Sequence, residues 1–437
     1  MQKASRHWSS RLPFYCGWLI IAVAFVTMAI GVSARTAFSL LMPPLIDEFG
    51  WDRGLAAGAF SFGFLTSAIL SPVIGRVMDT RGPRVVILTG VALLTAGLLL
   101  APYIHTPWHF YATLGLLVGG GANMMTYSAH SQFLPNWFVA RRALAISIAF
   151  AGAGVGGIVL LPWMQSIIVN EGWRASCVAM GLLVLLVVAP LNLLVRKRPE
   201  DLGLQPDGAV RLGHAAQKHP SNIVDPVWVA TEWTLARAIR TARFWWIVVG
   251  YFCALVAWYA VQVHQTKYLT EIGFTPIVAA WALGAVSVVG IPGQISLGAL
   301  SDRIGREWVW TAGCAGFVVC YAALIGLEHS QSTALLYLMV ISQGFFGYAL
   351  TSVMGPIVAE IFEGPHYGAI FGTISVPLMA GGAAGPWAAG VIHDATGNYY
   401  WAFTLAIACC FVSAASIWFA APGKVRAVSG RVPRIET

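Results

Sequence analysis

Arg35 stands about twenty residues into an apolar run that opens at Tyr15, and it is the run's single charge as far as Met42. A guanidinium at that depth in hydrocarbon costs at least ~2.5–3.5 kcal/mol unless it meets water, an anion or a protein partner. Held in a dry cavity, it can take a carboxylate through two parallel hydrogen bonds, a geometry that a lysine does not offer. A long arginine stem can also carry its charge out to the nearer interface, or a structural partner can neutralise it. Anion binding and a structural role both stay open for Arg35 at this level.

Other polar side chains interrupt the apolar runs. Asn123, Tyr127 and His130 recur at near-helical spacing, so they share a helix face that could line a cavity. His264, close to Lys267 towards the end of a later run, could carry a proton near neutral pH. Gln343 and Tyr348 are further polar positions of the same kind. Each could equally be a hydrogen-bonded packing residue. No Asp or Glu falls in the middle of a run: Asp79, Asp302, Glu360, Glu363 and Asp394 all lie near predicted helix ends. A carboxylate proton relay in a central cavity is thereby excluded, and a coupled proton has to travel on a substrate or on a histidine.

A second chemistry is written twice. Gly75-Arg-Val-Met-Asp79-Thr-Arg-Gly82 and Gly298-Ala-Leu-Ser-Asp302-Arg-Ile-Gly305 share the pattern Gly-x-x-x-Asp-x-x-Gly, each after a long apolar run. The same separation relates Glu48 to Glu271, Gly50 to Gly273, and Ala56 and Ala57 to Ala279 and Ala280. Glycine lets two helices approach closely, and an aspartate at a membrane helix end is costly unless paired. Arg81, Arg84, Arg303 and Arg306 are the nearby cations. The pattern predicts a latch, with Gly75, Asp79 and Arg84 in one half and Asp302 and Arg306 in the other. It forms when a central cavity faces outward and breaks when the cavity faces inward. A helix-end salt bridge of structural purpose is the plainer alternative.

These residues need elements to hold them. Of the 437 residues, 58% are hydrophobic and 10% charged, against about 25% charged in a soluble domain. A bilayer core asks for about 20 apolar residues as helix. Twelve runs qualify, at roughly 15–42, 55–77, 84–104, 108–135, 143–168 and 174–195, then roughly 244–268, 277–300, 308–327, 333–359, 368–392 and 399–420. The expectation is an all-α membrane protein of twelve transmembrane helices in two pseudo-symmetric six-helix bundles. The bundles comprise 1–195 and 244–437, with a linker over 196–243.

Lys3, Arg6 and Arg11 precede the first run as they would in a secretory signal, but that run is too long, and an uncleaved first span is expected. All Lys and Arg residues except Arg35, Arg53, Arg174 and Lys267 fall on one set of loops and tails. This asymmetry places both termini and the linker in the cytoplasm. It also accounts for the net charge of +8 through topology and lipid headgroups, with no nucleic-acid partner. The linker's start, Arg196 to Gly208, is turn-rich. Glu232 to Arg240 sets apolar residues opposite arginines and predicts a helix lying along the inner membrane surface. The seven cysteines show no metal-ligand spacing and read as small core residues.

The paired loops after spans two and eight resemble the signature of the major facilitator superfamily. So do the small-residue stretches Ala151-Gly-Ala-Gly-Val-Gly-Gly157 and Ala380-Gly-Gly-Ala-Ala-Gly-Pro386 in spans five and eleven. Within that superfamily, four features are similar to bacterial members of the monocarboxylate and oxalate/formate branch. They are Gly17-Trp18, Trp137-Phe-Val-Ala-Arg-Arg142, Pro199-Glu-Asp-Leu-Gly-Leu-Gln-Pro-Asp207, and Val263-His264 ahead of Tyr268-Leu-Thr. The resemblance implies a first-span substrate cation, and Arg35-Thr-Ala-Phe38 occupies its position. It also implies a span-eight arginine where this chain has Gln294, and a span-eleven lysine where Met379-Ala-Gly-Gly382 offers none. A single cavity cation suits a monoanion better than a dianion such as oxalate.

The expected activity is secondary active transport of a small organic monoanion across the cytoplasmic (inner) membrane by alternating access. Protons are the expected coupling ion, and Arg35, Asn123, Tyr127, His264 and Gln294 the substrate-facing positions. An exporter of drugs or amphiphiles would suit the eighteen tryptophans. Yet it lacks a cavity acid for cations, and Gly115 and Leu116 stand where the superfamily's fourth-span arginine is expected. A non-transporting sensor would need a signalling surface that the short linker and tails do not supply. No enzyme, cofactor or metal is expected: there is no His-Glu-x-x-His, no nucleophile beside a base and no phosphate loop.

Overall fold

Inside a bilayer every backbone N–H and C=O must find its partner within the protein, so apolar runs of this length close into helices. The computed structural model describes residues 15–51, 53–206 and 222–431; Lys3, Arg6, Arg11, Asp207, Gly208, Arg211, Lys218 and Arg434 lie outside them. Among the described residues, eleven helices are long and apolar enough to cross a membrane. With one broken crossing they are numbered in chain order. The first half holds α1 (Cys16–Thr36, continued as Phe38–Phe49), α2 (Arg53–Arg81), α3 (Pro83–Leu100), α4 (107–131), α5 (Arg142–Glu171) and α6 (Trp173–Asn192). The second half holds α7 (Ala242–Glu271), α8 (Pro276–Ile304), α9 (Arg306–His329), α10 (Thr333–Phe362), α11 (Tyr367–Thr396) and α12 (Tyr400–Ala420).

The broken crossing is α4, where a continuous helix over 108–135 is expected. Pro107–Phe110 leads into wide i→i+5 turns over Tyr111–Val118, then a short helix Gly119–Asn123, then Tyr127–Ser131. Crowding explains it. A Cβ on Gly121 would lie 2.7 Å from the amide nitrogen of Leu94 on α3, and one on Gly119 would meet the backbone of Gly63 on α2. Wedged between two backbones, α4 loses regular pitch. Its counterpart α10 widens in the same way over Ser342–Gly347.

Buried apolar side chains form two separate cores, one drawn from residues 16–202 and one from 233–425. Within each half, a glycine pair one turn apart closes a tight helix crossing. Gly152 and Gly156 of α5 press on the carbonyls of Phe25 and Ala29 of α1, and Gly381 and Gly385 of α11 press on those of Phe252 and Val256 of α7. No side chain fits at these four positions, so the repeated small-residue stretches set the interhelical distance. Between the halves, α2 runs along α11 and α5 along α8.

The linker departs from the expected surface helix over 232–240. Two short helices, Pro226–Ala230 and Leu235–Ala238, bring Trp228 and Trp233 to 6.1 and 5.3 Å from Phe362 at the end of α10. Trp233 is buried, and Trp228 Nε1 donates to the Ile361 carbonyl at 2.8 Å. Aromatic burial against the protein outweighs the amphipathic pattern of the arginines. The segment after α12 returns across the same end. Val224 N donates to the Val425 carbonyl at 2.9 Å and Ala427 N to the Asn222 carbonyl at 2.7 Å. Ser429 Oγ lies 2.8 Å from the carbonyl of Ala140 and 3.0 Å from that of Asp302, so its one proton is shared between the two halves.

Gly156→Leu and Gly385→Leu force these helices apart. Overpacking of this kind costs about 1–3 kcal/mol. Thermal unfolding in detergent, followed by size exclusion, is expected to show a lowered midpoint for both. Gly157→Leu, whose added Cβ meets nothing within 4 Å, should leave it unchanged.

Candidate functional site

Each motif aspartate is seated on the bare N-terminus of a helix from the other half. Asp79, at the end of α2, accepts from Gly368 N at 2.8 Å and Ala369 N at 2.7 Å, the second and third residues of α11. Asp302, at the end of α8, accepts from Ala143 N at 3.1 Å and Leu144 N at 3.0 Å, the second and third residues of α5. The first amides of a helix have no acceptor within it and carry the positive end of its dipole, so each carboxylate satisfies two donors and a charge at once. Gly75 and Gly298 permit the approach: a Cβ at Gly75 would meet the Gly368 carbonyl, and one at Gly298 the Ser147 side chain. We call this the motif end of the molecule; here the two halves are closed against each other.

The cations differ between the two copies. Arg306 Nη1 donates to Asp302 Oδ1 at 2.6 Å while its Nε donates to Glu360 Oε1 at 2.8 Å, all three side chains being buried. The cation beside Asp79 is Lys197 of the linker, with Nζ 3.8 Å from Oδ1 and 2.7 Å from the Asp79 carbonyl to which it donates. Burial pushes the Lys197 ammonium below the usual lysine range, and Asp79 pulls it partly back. Arg84 does not pair with Asp79, contrary to expectation; it donates to the Leu193 carbonyl of its own half. Among the described residues Arg81 and Arg303 form no ion pair with the aspartates. A third cross-half tie joins Arg142 of α5 to Glu363, 3.6 Å apart, and Glu363 also takes Arg426 of the C-terminal segment at 2.8 Å.

Arg35 lies away from the motif end. At 1.5 Å per helical residue, Arg35, Phe64 and Tyr259 sit roughly 20–30 Å from the motif end. The Arg35 guanidinium lies 4.0 Å from the centroid of the Phe64 ring, and Phe64 meets Tyr259 of α7 edge to face at 5.9 Å. Arg35 Nη2 is buried without a hydrogen-bond partner, and no carboxylate among the described residues pairs with it. A void of ≈ 20 Å³ adjoins it, lined by Arg35, Phe38, Gly63, Leu114, Val118 and Gly119. Tyr127 packs edge-on against Phe150 at 5.0 Å and lies within electrostatic range of Tyr259 and Tyr348, and Tyr348 meets Trp258 at 4.8 Å. Side chains from α1, α2, α4, α7 and α10 thus converge between the halves.

Three other expected site residues do not join them. Asn123 gives Nδ2 to the Ser67 carbonyl at 3.0 Å and to Ser71 Oγ at 3.2 Å, tying α4 to α2. Gln294 bonds Thr351 and accepts from Ser352 at its carbonyl, tying α8 to α10. His264 uses both ring nitrogens: Nδ1 is 3.1 Å from the Tyr399 hydroxyl and Nε2 is 2.9 Å from the Pro386 carbonyl. A carbonyl only accepts, so Nε2 carries the proton. A buried amide or imidazole takes the nearest partner in its own half, and these three found theirs there. His130 is likewise buried against the Thr126 carbonyl, and Lys267 is exposed beside Glu271. Phe64, Trp258 and Tyr259 had no distinguishing signal, since aromatic residues on apolar runs face lipid as readily as a cavity. Lys197 had none either, standing 118 residues from Asp79.

The family model described as Major Facilitator Superfamily matches residues 19–351 and 247–436. This chain belongs to the major facilitator superfamily. It is therefore a multi-pass membrane transporter and not an enzyme. Monocarboxylate transporter 13 of Rattus norvegicus is 27% identical over 396 residues, covering 89% of this chain and 85% of that protein. The uncharacterized MFS-type transporter YcxA of Bacillus subtilis (strain 168) is 22% identical over 404 residues, covering 90% and 92%. Among solved structures, the superfamily transporter FucP in its outward conformation superposes with a TM-score of 0.69 at 18% identity, over 93% of this chain and 99% of that one. The proton:xylose symporter XylE superposes with a TM-score of 0.71 at 13% identity, over 94% and 98%. These likenesses show the facilitator fold of two six-helix bundles.

Each cap is a pair of charge-assisted hydrogen bonds, worth about 1.5–3 kcal/mol apiece. Ser128 is buried at the seam, its Oγ 3.3 Å from Ser375 Oγ of the other half. In a cysteine-free background carrying Ser128→Cys, the pair Asp79→Asn and Asp302→Asn is expected to raise the rate of alkylation by a hydrophilic maleimide roughly tenfold or more. Equal rates would mean that the caps do not hold the motif end shut.

Proposed function

We propose that this chain is a secondary active transporter for a small organic monoanion, working by alternating access as a proton symporter in the cytoplasmic membrane. The observation that carries the reading is Arg35 Nη2, buried at the seam between the halves without a hydrogen-bond partner. A carboxylate is the natural counter-ion for it, and a bidentate pair would satisfy the open Nη2. The names of the similar monocarboxylate transporters support that class, and those of the FucP and XylE symporters support coupling to protons.

Arg35 binds substrate from the side opposite the motif end, while Asp79 and Asp302 keep that end closed. Neutralising a lone cation in a low-dielectric seam lowers the cost of moving it, so the loaded halves 1–195 and 244–437 rock more readily than the empty ones. Rocking pulls the two aspartates off α11 and α5 and opens the motif end to the cytoplasm, where both termini and the 196–243 linker lie. The proton travels with the substrate, because among the described residues no carboxylate pairs with Arg35 and His264 is occupied by Tyr399 and Pro386.

In proteoliposomes, Arg35→Gln is expected to reduce monocarboxylate uptake by roughly 30-fold or more, the effect of removing about 2 kcal/mol or more of buried charge pairing. Arg35→Lys should retain part of the activity, keeping the charge and losing the fork. Uptake equal to wild type in Arg35→Gln would overturn the anion site. Acidifying the outer face should speed uptake in wild type, and rates indifferent to the pH gradient would replace symport by uniport or exchange.

A further inference from the structure

We infer that the monoanion this site selects carries a flat aromatic group, and that Phe64 and Tyr259 are the residues that select it. The inference rests on the anion reading of Arg35 and narrows it.

Phe64 belongs to the first half and Tyr259 to the second, and their edge-to-face contact at 5.9 Å closes over the guanidinium that stacks on Phe64 at 4.0 Å. The void beside Arg35 is ≈ 20 Å³. That is room for about one water and for no organic acid. A carboxylate that approaches Arg35 from between the halves meets the Phe64–Tyr259 contact and has to part the two rings. A short keto or hydroxy acid parts them and leaves both faces uncovered. An acid with its own ring restores what it breaks, because its ring takes the place of Tyr259 on Phe64 while its carboxylate takes the open hydrogens of Arg35.

The wall continues in the same chemistry. Trp258 and Tyr348 meet at 4.8 Å, and Tyr127 lies within electrostatic range of Tyr259 and Tyr348. Aromatic faces present a broad apolar body to the ligand, and phenols add a few hydrogen-bonding groups at fixed points. A site built this way discriminates by the ring that fills it and by one charge, and it is poorly matched to a small polar acid.

The test uses the purified full-length protein with acetate, lactate, pyruvate, benzoate, phenylacetate and phenylpyruvate as ligands, read by thermal stabilisation in detergent and by competition in proteoliposomes. The ring-bearing acids are expected to act at concentrations roughly tenfold or more below lactate and pyruvate. Tyr259→Leu and Phe64→Leu, which keep apolar volume, should bring that ratio to within about threefold while binding still depends on Arg35. Lactate or pyruvate binding as well as or better than the ring-bearing acids, with both lost in Arg35→Gln, would overturn the aromatic class and leave the anion site standing. Benzyl alcohol and benzoate stabilising wild type and Arg35→Gln alike would overturn the anion site itself.

Discussion

The amides at the start of a helix have nothing to bond to within that helix, and in this molecule two such starts are completed by carboxylates from the opposite half. Asp79 completes α11 and Asp302 completes α5, at equivalent positions. Closure of the motif end therefore satisfies four donors that separation exposes, and it does so in two places related by the internal repeat. Bonds of this geometry are made or lost together, because each depends on a glycine crossing that brings two backbones into contact. A seam held in that way gives way as a unit, as the proposed alternating access requires.

Against that closed end, the middle of the seam is built from different material. Among the described residues it holds Arg35 and a set of aromatic rings, with no acid paired to the guanidinium. Among the described residues, Glu360 is paired with Arg306, Glu363 with Arg142 and Arg426, and Glu48 with Arg174, and none of these pairs includes Arg35. The protein separates its two uses of electrostatics, with paired charges at the motif end and, in the proposed reading, Arg35 kept for the substrate.

The fold was legible because lipid imposes a simple rule on composition and length, and the repeat of Gly75–Gly82 in Gly298–Gly305 marked the two halves. Crossings governed by backbone contact were legible too, since only glycine fits there. What escaped was set by distance in the chain or by local competition. Lys197 reaches Asp79 from the linker, where no spacing announces it. Asn123, His264 and Gln294 look like cavity residues in one dimension, but each finds a nearer partner within its own half. α4 reads as a helix by hydropathy, and it loses its regular turns because Gly63 and Leu94 crowd it from two sides. Arg35 stood out because an arginine deep in an apolar run has so few places to go.

The hydroxyl of Ser429 touches a backbone carbonyl of each half, and the segment leading to it is pinned to the linker and to Glu363. The segment that ends in Arg431 therefore lies on the joint between the halves. A fluorescent reporter or affinity handle fused at that terminus would load the transport cycle, and its placement becomes a variable in any measurement of turnover.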